Sequence, residues 1–323
     1  MISNNSIQGR FVSGMLTMPV LLSCSLALWL FVAFCGSDSD VEISSRFTAE
    51  GWLADVVTLP CYLFCAFMLN SMHNMERRVN WLFSLFMWLS AVAVFIHSSF
   101  VVAFSLLVLL LSMAIVFSCQ TLVCIEQRLF TAFAIMGFAA FISPLLLFLV
   151  PMFIAFVSFS NILTLKRLLA MILGVFTPFW IAFGIGYVYE PAAASFCFIR
   201  DFCNDGLSFM VGFPPLHCVI FMVAGMAVSL PALVQLLSSA YPSKPLLRKR
   251  MYLFLLMNFY VFTLSFILPA YSELFYACSL PGTAVLLTYM FTMKMTKYSN
   301  MYFIFVVLVW AILAVYCLWM ELF

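Results

Sequence analysis

The charged side chains of this 323-residue chain lie almost entirely in the gaps between long apolar runs, and the two signs of charge occupy different gaps. Twelve of the fourteen Lys and Arg residues fall in alternate gaps, whereas ten of the twelve Asp and Glu residues fall in the other gaps or at the C-terminus. Short basic loops resist translocation and stay on the cytoplasmic side of a membrane. The sequence therefore predicts a polytopic membrane protein.

Composition excludes the main alternative fold classes. Apolar residues make up 66% of the chain and charged residues only 8%, compared with about 25% charged residues in an average soluble domain. Transmembrane β-strands would alternate in segments of about ten residues, and the apolar runs here are longer and continuous. An all-α transmembrane bundle in contact with the lipid bilayer is therefore expected. The net charge of +2 follows from the topology and gives no indication of a nucleic-acid partner.

The apolar runs predict about eleven helices in a single membrane domain, with the N-terminus inside and the C-terminus outside. Backbone groups in hydrocarbon must be satisfied within the segment, so each run is interpreted as a helix. The longest outer loop is predicted at residues 190–213. The predicted spans lie near residues 15–35, 52–71, 80–96, 100–119, 129–143, 145–160, 168–189, 214–238, 251–270, 274–292 and 301–320.

Two regions decide the number of spans. Residues 79–119 are too long for one helix and break at His97-Ser98-Ser99, which suits a tight outer hairpin. Residues 129–160 contain no charge and are interrupted by Ser143-Pro144 and Pro151, which fits two short spans or a re-entrant pair. A single kinked span would reverse the orientation of everything downstream, and the sorting of charges argues against it.

The first outer gap contains the most acidic stretch of the chain, Gly36-Ser37-Asp38-Ser39-Asp40-Val41-Glu42. Asp38 and Asp40 could together hold a divalent cation, because carboxylate oxygens suit Mg²⁺ and Mn²⁺. Either carboxylate could instead act as a base on a sugar hydroxyl without any metal. An Asp-x-Asp triplet is also common in a solvated acidic loop, so three interpretations stay open.

A few further outer residues are candidates for a binding site. Arg46 and Arg200 are the only two basic residues predicted outside, and a guanidinium binds phosphate in a bidentate way. Ion pairs with the abundant outer acids are the alternative for both arginines. Asp55 lies about one turn inside an apolar run, where a carboxylate is costly unless it faces water or a partner. The remaining acidic candidates are Glu50 and Asp201.

Cysteine and histidine give one candidate bridge and no metal motif. Cys197 and Cys203 are separated by five residues in the longest outer loop, so a loop disulfide is possible in an oxidising envelope. The other nine cysteines lie mainly in predicted helices and are interpreted as small apolar side chains. His73, His97 and His217 stand alone in the sequence and show no zinc-binding spacing.

The central part of the chain resembles a known enzyme family. Residues 128–144 read RLFTAFAIMGFAAFISP and are followed by an apolar helix through Pro151, a basic turn at Lys166-Arg167 and the segment from Gly174 to Trp180. This order resembles the central helices of GT-C-type polyprenyl-phosphate-dependent membrane glycosyltransferases. The stretch, roughly residues 80–190, also resembles a group of multi-pass inner-membrane proteins of Bacteroidetes.

The resemblance implies a catalytic acid in the first outer loop, shortly after the first helix, which corresponds to Asp38 and Asp40 here. Only about fifteen residues form this loop, whereas family members usually have a longer one with surface helices, and the large C-terminal outer domain of many members is absent. A scaffold that has lost its catalytic parts is therefore a second implication.

Three functional hypotheses follow from the sequence. The first is a GT-C-like protein of the bacterial inner membrane that handles a lipid-linked sugar at the outer leaflet, with a polyprenyl-phosphate lipid as partner and Mg²⁺, Mn²⁺ or no cofactor. The second is a non-enzymatic membrane subunit or scaffold that binds other envelope proteins. The third is a flippase or carrier, which the scarcity of ionisable residues inside the spans disfavours.

Overall fold

The computed structural model describes residues 17–35, 49–72, 80–97, 99–119, 124–189, 213–237, 245–292 and 297–322. Within these ranges the chain forms eleven α-helices, three short 3₁₀ segments and no strands. The 3₁₀ segments are Val94–Ile96, Pro144–Leu149 and Pro269–Tyr271. The helices are α1 Thr17–Cys35, α2 Ala49–Met72, α3 Asn80–Val92, α4 Phe100–Ser118, α5 Ile125–Ala139, α6 Val150–Phe159, α7 Leu165–Tyr189, α8 Leu216–Leu237, α9 Pro245–Ile267, α10 Ser272–Thr292 and α11 Lys297–Leu322.

The all-helical fold predicted from composition is confirmed for the described residues, and each predicted apolar run coincides with one helix. Five helical segments are long and apolar enough to cross a membrane, as expected for a membrane protein with lipid-facing surface. The five segments are Phe100–Ser118, Leu165–Ile185, Arg248–Ile267, Pro269–Phe291 and Asn300–Cys317. Within the described residues, the other helices fall short of the length or the apolar character that a membrane span requires.

Helix α10 forms the centre of the bundle. It packs against α3, α4, α8, α9 and α11. In its most apolar stretch, 94% of the residues are buried inside the protein. The helix carries many small residues, including Ala277, Ser279, Gly282 and Ala284, which let neighbouring backbones approach closely. A helix of this composition is suited to the inside of a membrane bundle, whereas the peripheral α7 and α11 expose most of their apolar side chains.

Residues 125–159 form a helical hairpin. Helix α5 ends at Ala139, a turn follows at residues 140–143, and Pro144 starts the 3₁₀ segment that leads into α6. Helix α5 has 15 residues and is therefore about 22 Å long, which is less than the roughly 30 Å thickness of a bilayer core. The predicted pair of short segments is thus found, and a single kinked span is not.

Contacts between distant residues bring both ends of this hairpin to the same end of the bundle. Arg167 Nε lies 3.2 Å from Glu126 Oε1 at the start of α5. Lys249 Nζ donates to the carbonyl of Ser160, just after α6, over 3.1 Å. We call this end of the bundle the basic end. It brings together residues that the sequence analysis assigned to different basic gaps.

Cations at the basic end bind carbonyl groups at the ends of helices. Arg250 Nη1 donates to the carbonyl of Met72, the last residue of α2, over 2.9 Å, and its guanidinium lies 5.1 Å from the centre of the Phe117 ring. Arg167 Nη1 donates to the carbonyl of Ile162 over 2.6 Å. The last carbonyls of a helix lack intrahelical partners and carry partial negative charge, so these contacts are favourable.

The start of α9 differs from the prediction. The span was expected to begin near residue 251, with Arg248, Lys249 and Arg250 in the preceding gap, but the helix begins at Pro245. Lys249 and Arg250 are the fifth and sixth residues of this helix, and positive charge close to a helix N-terminus is unfavourable. The carbonyls of Ser160 and Met72 offset this effect, because both belong to neighbouring segments that end beside α9.

Candidate functional site

Most of the predicted site residues lie outside the described part of the chain. These residues are Asp38, Asp40, Arg46, Cys197, Arg200, Asp201 and Cys203. Glu50 and Asp55 lie in the first two turns of α2, where the structure describes the backbone course. The predicted carboxylate pair, phosphate-binding arginines and disulfide therefore stay predictions. The structure does describe the helices that lead into and out of both predicted outer loops.

Side chains from three of these helices, α1, α2 and α8, meet at the end of the bundle opposite the basic end. Trp29 lies six residues before the end of α1, which leads into the first predicted outer loop, and Tyr62 lies on α2, which follows that loop. His217 lies in the first turn of α8, directly after the longest predicted outer loop. All three pack around the turn that holds His97 or around Tyr276 of α10. We call Trp29, Tyr62, His97, His217 and Tyr276 the aromatic cluster.

The first half of the aromatic cluster joins α1 and α2 to the turn between α3 and α4. The ring of Trp29 stacks on His97 with centroids 3.6 Å apart and an interplanar angle of 17°, and it lies 5.0 Å from the Tyr62 ring. Thr58, one turn before Tyr62, donates its hydroxyl hydrogen to the carbonyl of His97 over 2.9 Å. Trp29, Tyr62 and His97 are each at most 3% exposed.

Hydrogen bonding defines the tautomer of His97. Its Nε2 lies 2.9 Å from the carbonyl oxygen of Ser90, and because a carbonyl oxygen can only accept, Nε2 must carry the hydrogen. Nδ1 is then a bare acceptor, and it is buried without a partner in the described structure. Burial lowers the pKa of His97 to about 4, against the opposing effect of the Ser90 contact. The ring is therefore neutral at physiological pH.

The second half of the aromatic cluster extends into α8, α10 and α11. Phe95 lies 5.0 Å from the His217 ring and 5.2 Å from the Tyr276 ring. Phe221, one turn after His217, lies 5.6 Å from Tyr276 and 6.2 Å from Trp310 of α11. These ring contacts are mostly tilted or edge-to-face, which is the favourable geometry for aromatic pairs. Together with the contacts of Trp29, they bring side chains from six different segments into one region.

Unpartnered polar atoms are concentrated in the aromatic cluster. Among the described side chains, buried polar atoms without a hydrogen bond in this region are Trp29 Nε1, Tyr62 OH, His97 Nδ1, His217 Nε2, Tyr276 OH and Trp310 Nε1. A buried donor or acceptor that stays unsatisfied costs about 1–3 kcal/mol. Five such atoms in the aromatic cluster, together with Trp310 Nε1 of the neighbouring α11, therefore indicate a region suited to a polar group, with N–H and O–H donors beside the bare acceptor of His97.

The chemistry of the aromatic cluster is that of a neutral binding site. Its hydroxyl, indole and imidazole groups can hydrogen-bond a polyhydroxylated group, and its rings offer apolar faces beside them. The described residues include no group of three or more His, Cys, Asp or Glu that could hold a metal ion. The predicted general base or metal ligand, Asp38 or Asp40, belongs to the segment between α1 and α2, outside the described residues.

The aromatic cluster was not predicted, because His97 and His217 are isolated in the sequence. The two histidines are 120 positions apart, and no short motif connects them with Trp29 or Tyr62. A topological signal exists for three of these residues: Trp29, His97 and His217 lie near the predicted outer ends of their spans, whereas Tyr62 lies at the middle of its span. Sorting uncharged polar and aromatic residues by predicted side would have assigned these three to one side without showing that their polar atoms meet.

Comparisons of the sequence with protein-family models, with curated proteins and with solved structures found no match. The resemblance to GT-C-type glycosyltransferases therefore rests on the order of small residues, prolines and basic turns in the sequence.

Proposed function

We propose that this chain is a bacterial inner-membrane protein that handles a lipid-linked sugar at the outer leaflet, in the manner of GT-C-type glycosyltransferases. The aromatic cluster holds the sugar. Asp38 or Asp40 acts on an acceptor hydroxyl or holds a divalent metal ion, and Arg200 or Arg46 neutralises the polyprenyl phosphate.

One observation carries the proposal. Three of the four helices that flank the two predicted outer loops, α1, α2 and α8, converge on a buried cluster of unpartnered hydrogen-bonding atoms. The first loop leaves from α1, six residues beyond Trp29, and the longest loop re-enters the bundle at α8, next to His217. These ends of α1 and α8 and the neutral polar cluster thus lie at the same end of the bundle.

The register of α2 supports the same arrangement. Its buried positions Thr58, Tyr62, Cys65 and Leu69 recur at helical spacing and form one face. Asp55 lies on the same helix, seven positions before Tyr62, which corresponds to about 10 Å along the helix axis. In the proposed site it supplies a carboxylate on the loop side of the aromatic cluster.

The orientation of the bundle is tested by reporter fusions. With the basic end in the cytoplasm, a reporter fused within residues 241–250 should report the cytoplasm, and one within residues 197–205 should report the exterior. A reversed result at either position would overturn the proposed orientation and with it the location of the site at the outer leaflet.

Binding of a sugar-charged lipid tests the function itself. The purified protein in lipid nanodiscs should retain a polyprenyl-phosphate monosaccharide in native mass spectrometry and bind the sugar-free polyprenyl phosphate more weakly. Tyr62→Phe removes one hydroxyl from the aromatic cluster and should weaken retention of the sugar-charged lipid about tenfold, in line with one lost hydrogen bond.

A matched variant separates the site from general effects. Tyr252 is an exposed tyrosine near the basic end, so Tyr252→Phe should bind as the wild type does. Equal binding of charged and sugar-free lipid, or equal behaviour of the two Tyr→Phe variants, would contradict the proposal. Loss of turnover but not of binding in Asp38→Asn or Asp40→Asn would identify the catalytic carboxylate.

A specific feature favours the scaffold as second candidate. Helix α7 packs mainly on α5 and leaves Trp180 77% exposed and Phe176 63% exposed. A photo-crosslinker at residue 180 should capture lipid if α7 faces the bilayer, and one defined membrane protein if the chain is a subunit of an assembly. The carrier hypothesis has less support, because the central helix α10 is enclosed by other helices.

A further inference from the structure

A small polar pocket lies between α8, α9 and α10, separate from the aromatic cluster. Its lining residues are Met222, Gly225, Met226, Asn258, Phe262, Ser279 and Thr283. Asn258, Thr283, Gly225 and Met222 are buried at its base, whereas Met226, Phe262 and Ser279 are half-buried at its rim. The free space has room for one group of about the size of a hydroxyl.

Hydrogen bonds among the lining residues use both hydroxyl hydrogens and leave acceptor atoms beside the pocket. Thr283 donates its hydroxyl hydrogen to the carbonyl of Ser279 over 3.1 Å, and Ser279 donates its own to the carbonyl of Tyr276 over 2.7 Å. Asn258 donates one of its two Nδ2 hydrogens to Thr283 Oγ1 over 3.4 Å. The acceptor Oδ1 of the same amide is not used in these bonds.

Asn258 Oδ1 is the atom that requires a ligand. The side chain is only 3% exposed, and Oδ1 has no hydrogen-bond partner in the described structure. An acceptor left in this state costs about 1–3 kcal/mol. Its natural partner is a hydrogen-bond donor, and lone pairs on Thr283 and Ser279 offer further acceptors beside it.

Two glycines shape this pocket. A Cβ on Gly282 would lie 2.2 Å from Asn258 Oδ1, so only glycine at this position lets the amide seat against α10. A Cβ on Gly225 would lie 3.5 Å from Thr283 Oγ1, which is an ordinary van der Waals distance. Alanine at position 225 would therefore fit without strain and would occupy part of the pocket itself.

Exposed apolar side chains lie on the same helices as the pocket. Val223, next to Met222 on α8, is 49% exposed, and Phe259, next to Asn258 on α9, is 38% exposed. Gly225 lies nine residues and Ser279 seven residues after the first residue of its helix, which places the pocket about 10–14 Å below the end that carries the aromatic cluster. A ligand at this depth reaches the pocket from the hydrocarbon of the bilayer.

We propose that this pocket binds the hydroxyl head group of a neutral long-chain alcohol or similar hydroxylated amphiphile, with its chain lying along the surface of α8 and α9. The hydroxyl donates to Asn258 Oδ1. A cationic donor fits poorly, because none of the seven lining residues is acidic and the surroundings are apolar. Met222 and Met226 suit an amphiphile of variable shape because methionine side chains adapt to their contacts. This inference does not depend on the proposed glycosyltransferase function.

Photolabelling tests the proposal on the full-length protein in lipid nanodiscs. The probe is 1-hexadecanol with a diazirine in its chain, and its methyl ether is the comparison because an ether cannot donate a hydrogen bond. The alcohol should label peptides that contain residues 222–226 and 259–262 at least fivefold more strongly than the ether. Gly225→Ala should reduce this labelling at least fivefold, and Thr283→Val should reduce it in part.

Gly184→Ala serves as the matched control, because a Cβ at Gly184 would meet no atom within 4 Å. This variant should label as the wild type does, and equal thermal midpoints of the two Gly→Ala variants exclude a folding defect. Equal labelling by alcohol and ether would show that the pocket holds only water or lipid chains and would overturn the proposal. Unchanged labelling of Gly225→Ala would overturn it as well.

Discussion

The crossing of α5 and α7 depends on two glycines that contact each other's helix reciprocally. A Cβ on Gly137 would lie 2.6 Å from the carbonyl oxygen of Val175 and 3.1 Å from Pro178 Cγ. A Cβ on Gly174 would lie 2.6 Å from the carbonyl oxygen of Phe130. A carbon normally approaches a carbonyl oxygen to about 3.3 Å, so either alanine must push the helices apart by about 0.7 Å.

Both variants should destabilise the protein for this reason. Overpacking of this kind typically costs about 1–3 kcal/mol, and since the clashing atoms belong to the backbone the upper half of that range is expected. Alanine gains about 1 kcal/mol of helix propensity over glycine, which offsets part of the cost. We therefore expect Gly137→Ala and Gly174→Ala each to lose about 1–2 kcal/mol.

The double variant provides the sharper test. One separation of α5 from α7 relieves both clashes, so Gly137→Ala with Gly174→Ala should cost much less than the sum of the two single variants. Gly184→Ala is the control on the same helix, because its Cβ would meet open space. It should be neutral or stabilising by up to about 1 kcal/mol.

Thermal denaturation in detergent, followed by loss of helical circular dichroism, measures these effects. The expected order of midpoints has Gly184→Ala at or above wild type and both crossing variants below it. Full additivity in the double variant, or midpoints of the crossing variants equal to that of Gly184→Ala, would refute the argument that these two helices are in backbone contact.

Three further predictions concern the two ends and the centre of the bundle. Arg250→Met should lower the free energy of unfolding by about 1.5–3 kcal/mol, because it removes the bond to the carbonyl of Met72. Lys166 is exposed, so Lys166→Met should stay within about 0.5 kcal/mol of wild type in the same denaturation assay. Folded His97 stays neutral down to about pH 4, whereas the histidine of the unfolded chain takes up a proton below about pH 6.5. The free energy of unfolding should therefore fall as the pH falls from 6.5 to 4, with a loss of about 2 kcal/mol between pH 6.5 and 5. The variant His97→Gln should show a flatter dependence of stability on pH. Gly282→Ala should lower the denaturation midpoint, because the new Cβ would lie 2.2 Å from Asn258 Oδ1. Adding Asn258→Ala should restore the midpoint only in part, because the same Cβ would still lie 2.9 Å from the carbonyl oxygen of Phe254.

The number and position of the helices were predictable because both depend on local properties of the sequence. An apolar run interrupted by charge or proline marks a helix wherever it packs, and this is why the hairpin around Pro144 was anticipated. The start of α9 was not anticipated, because Lys249 and Arg250 are accommodated in the helix by carbonyls that distant segments supply. Helix ends that are stabilised by tertiary contacts have no local signal.

The candidate site shows a related limit. The site residues predicted from the sequence are charged residues and cysteines in or next to loops, because charges are conspicuous in a nearly uncharged chain. Trp29, Tyr62 and Tyr276 are aromatic residues in apolar helices, and in such a sequence each is indistinguishable from lipid-facing or core side chains. Their significance comes from convergence, because only the packed bundle shows that their polar atoms share one buried region.

The two ends of the bundle use polar groups in different ways. At the basic end, cations satisfy carbonyls of neighbouring segments, so Arg250 and Lys249 stabilise the fold in addition to any influence on topology. At the aromatic end, buried donors and acceptors do not hydrogen-bond to one another, although the rings of Tyr62 and His97 both contact Trp29. Stability alone would favour pairing these groups or replacing them with apolar side chains of similar shape, because unsatisfied atoms cost free energy. A buried arrangement that keeps this cost is typical of a binding site, and this asymmetry is the strongest argument for function at the aromatic end.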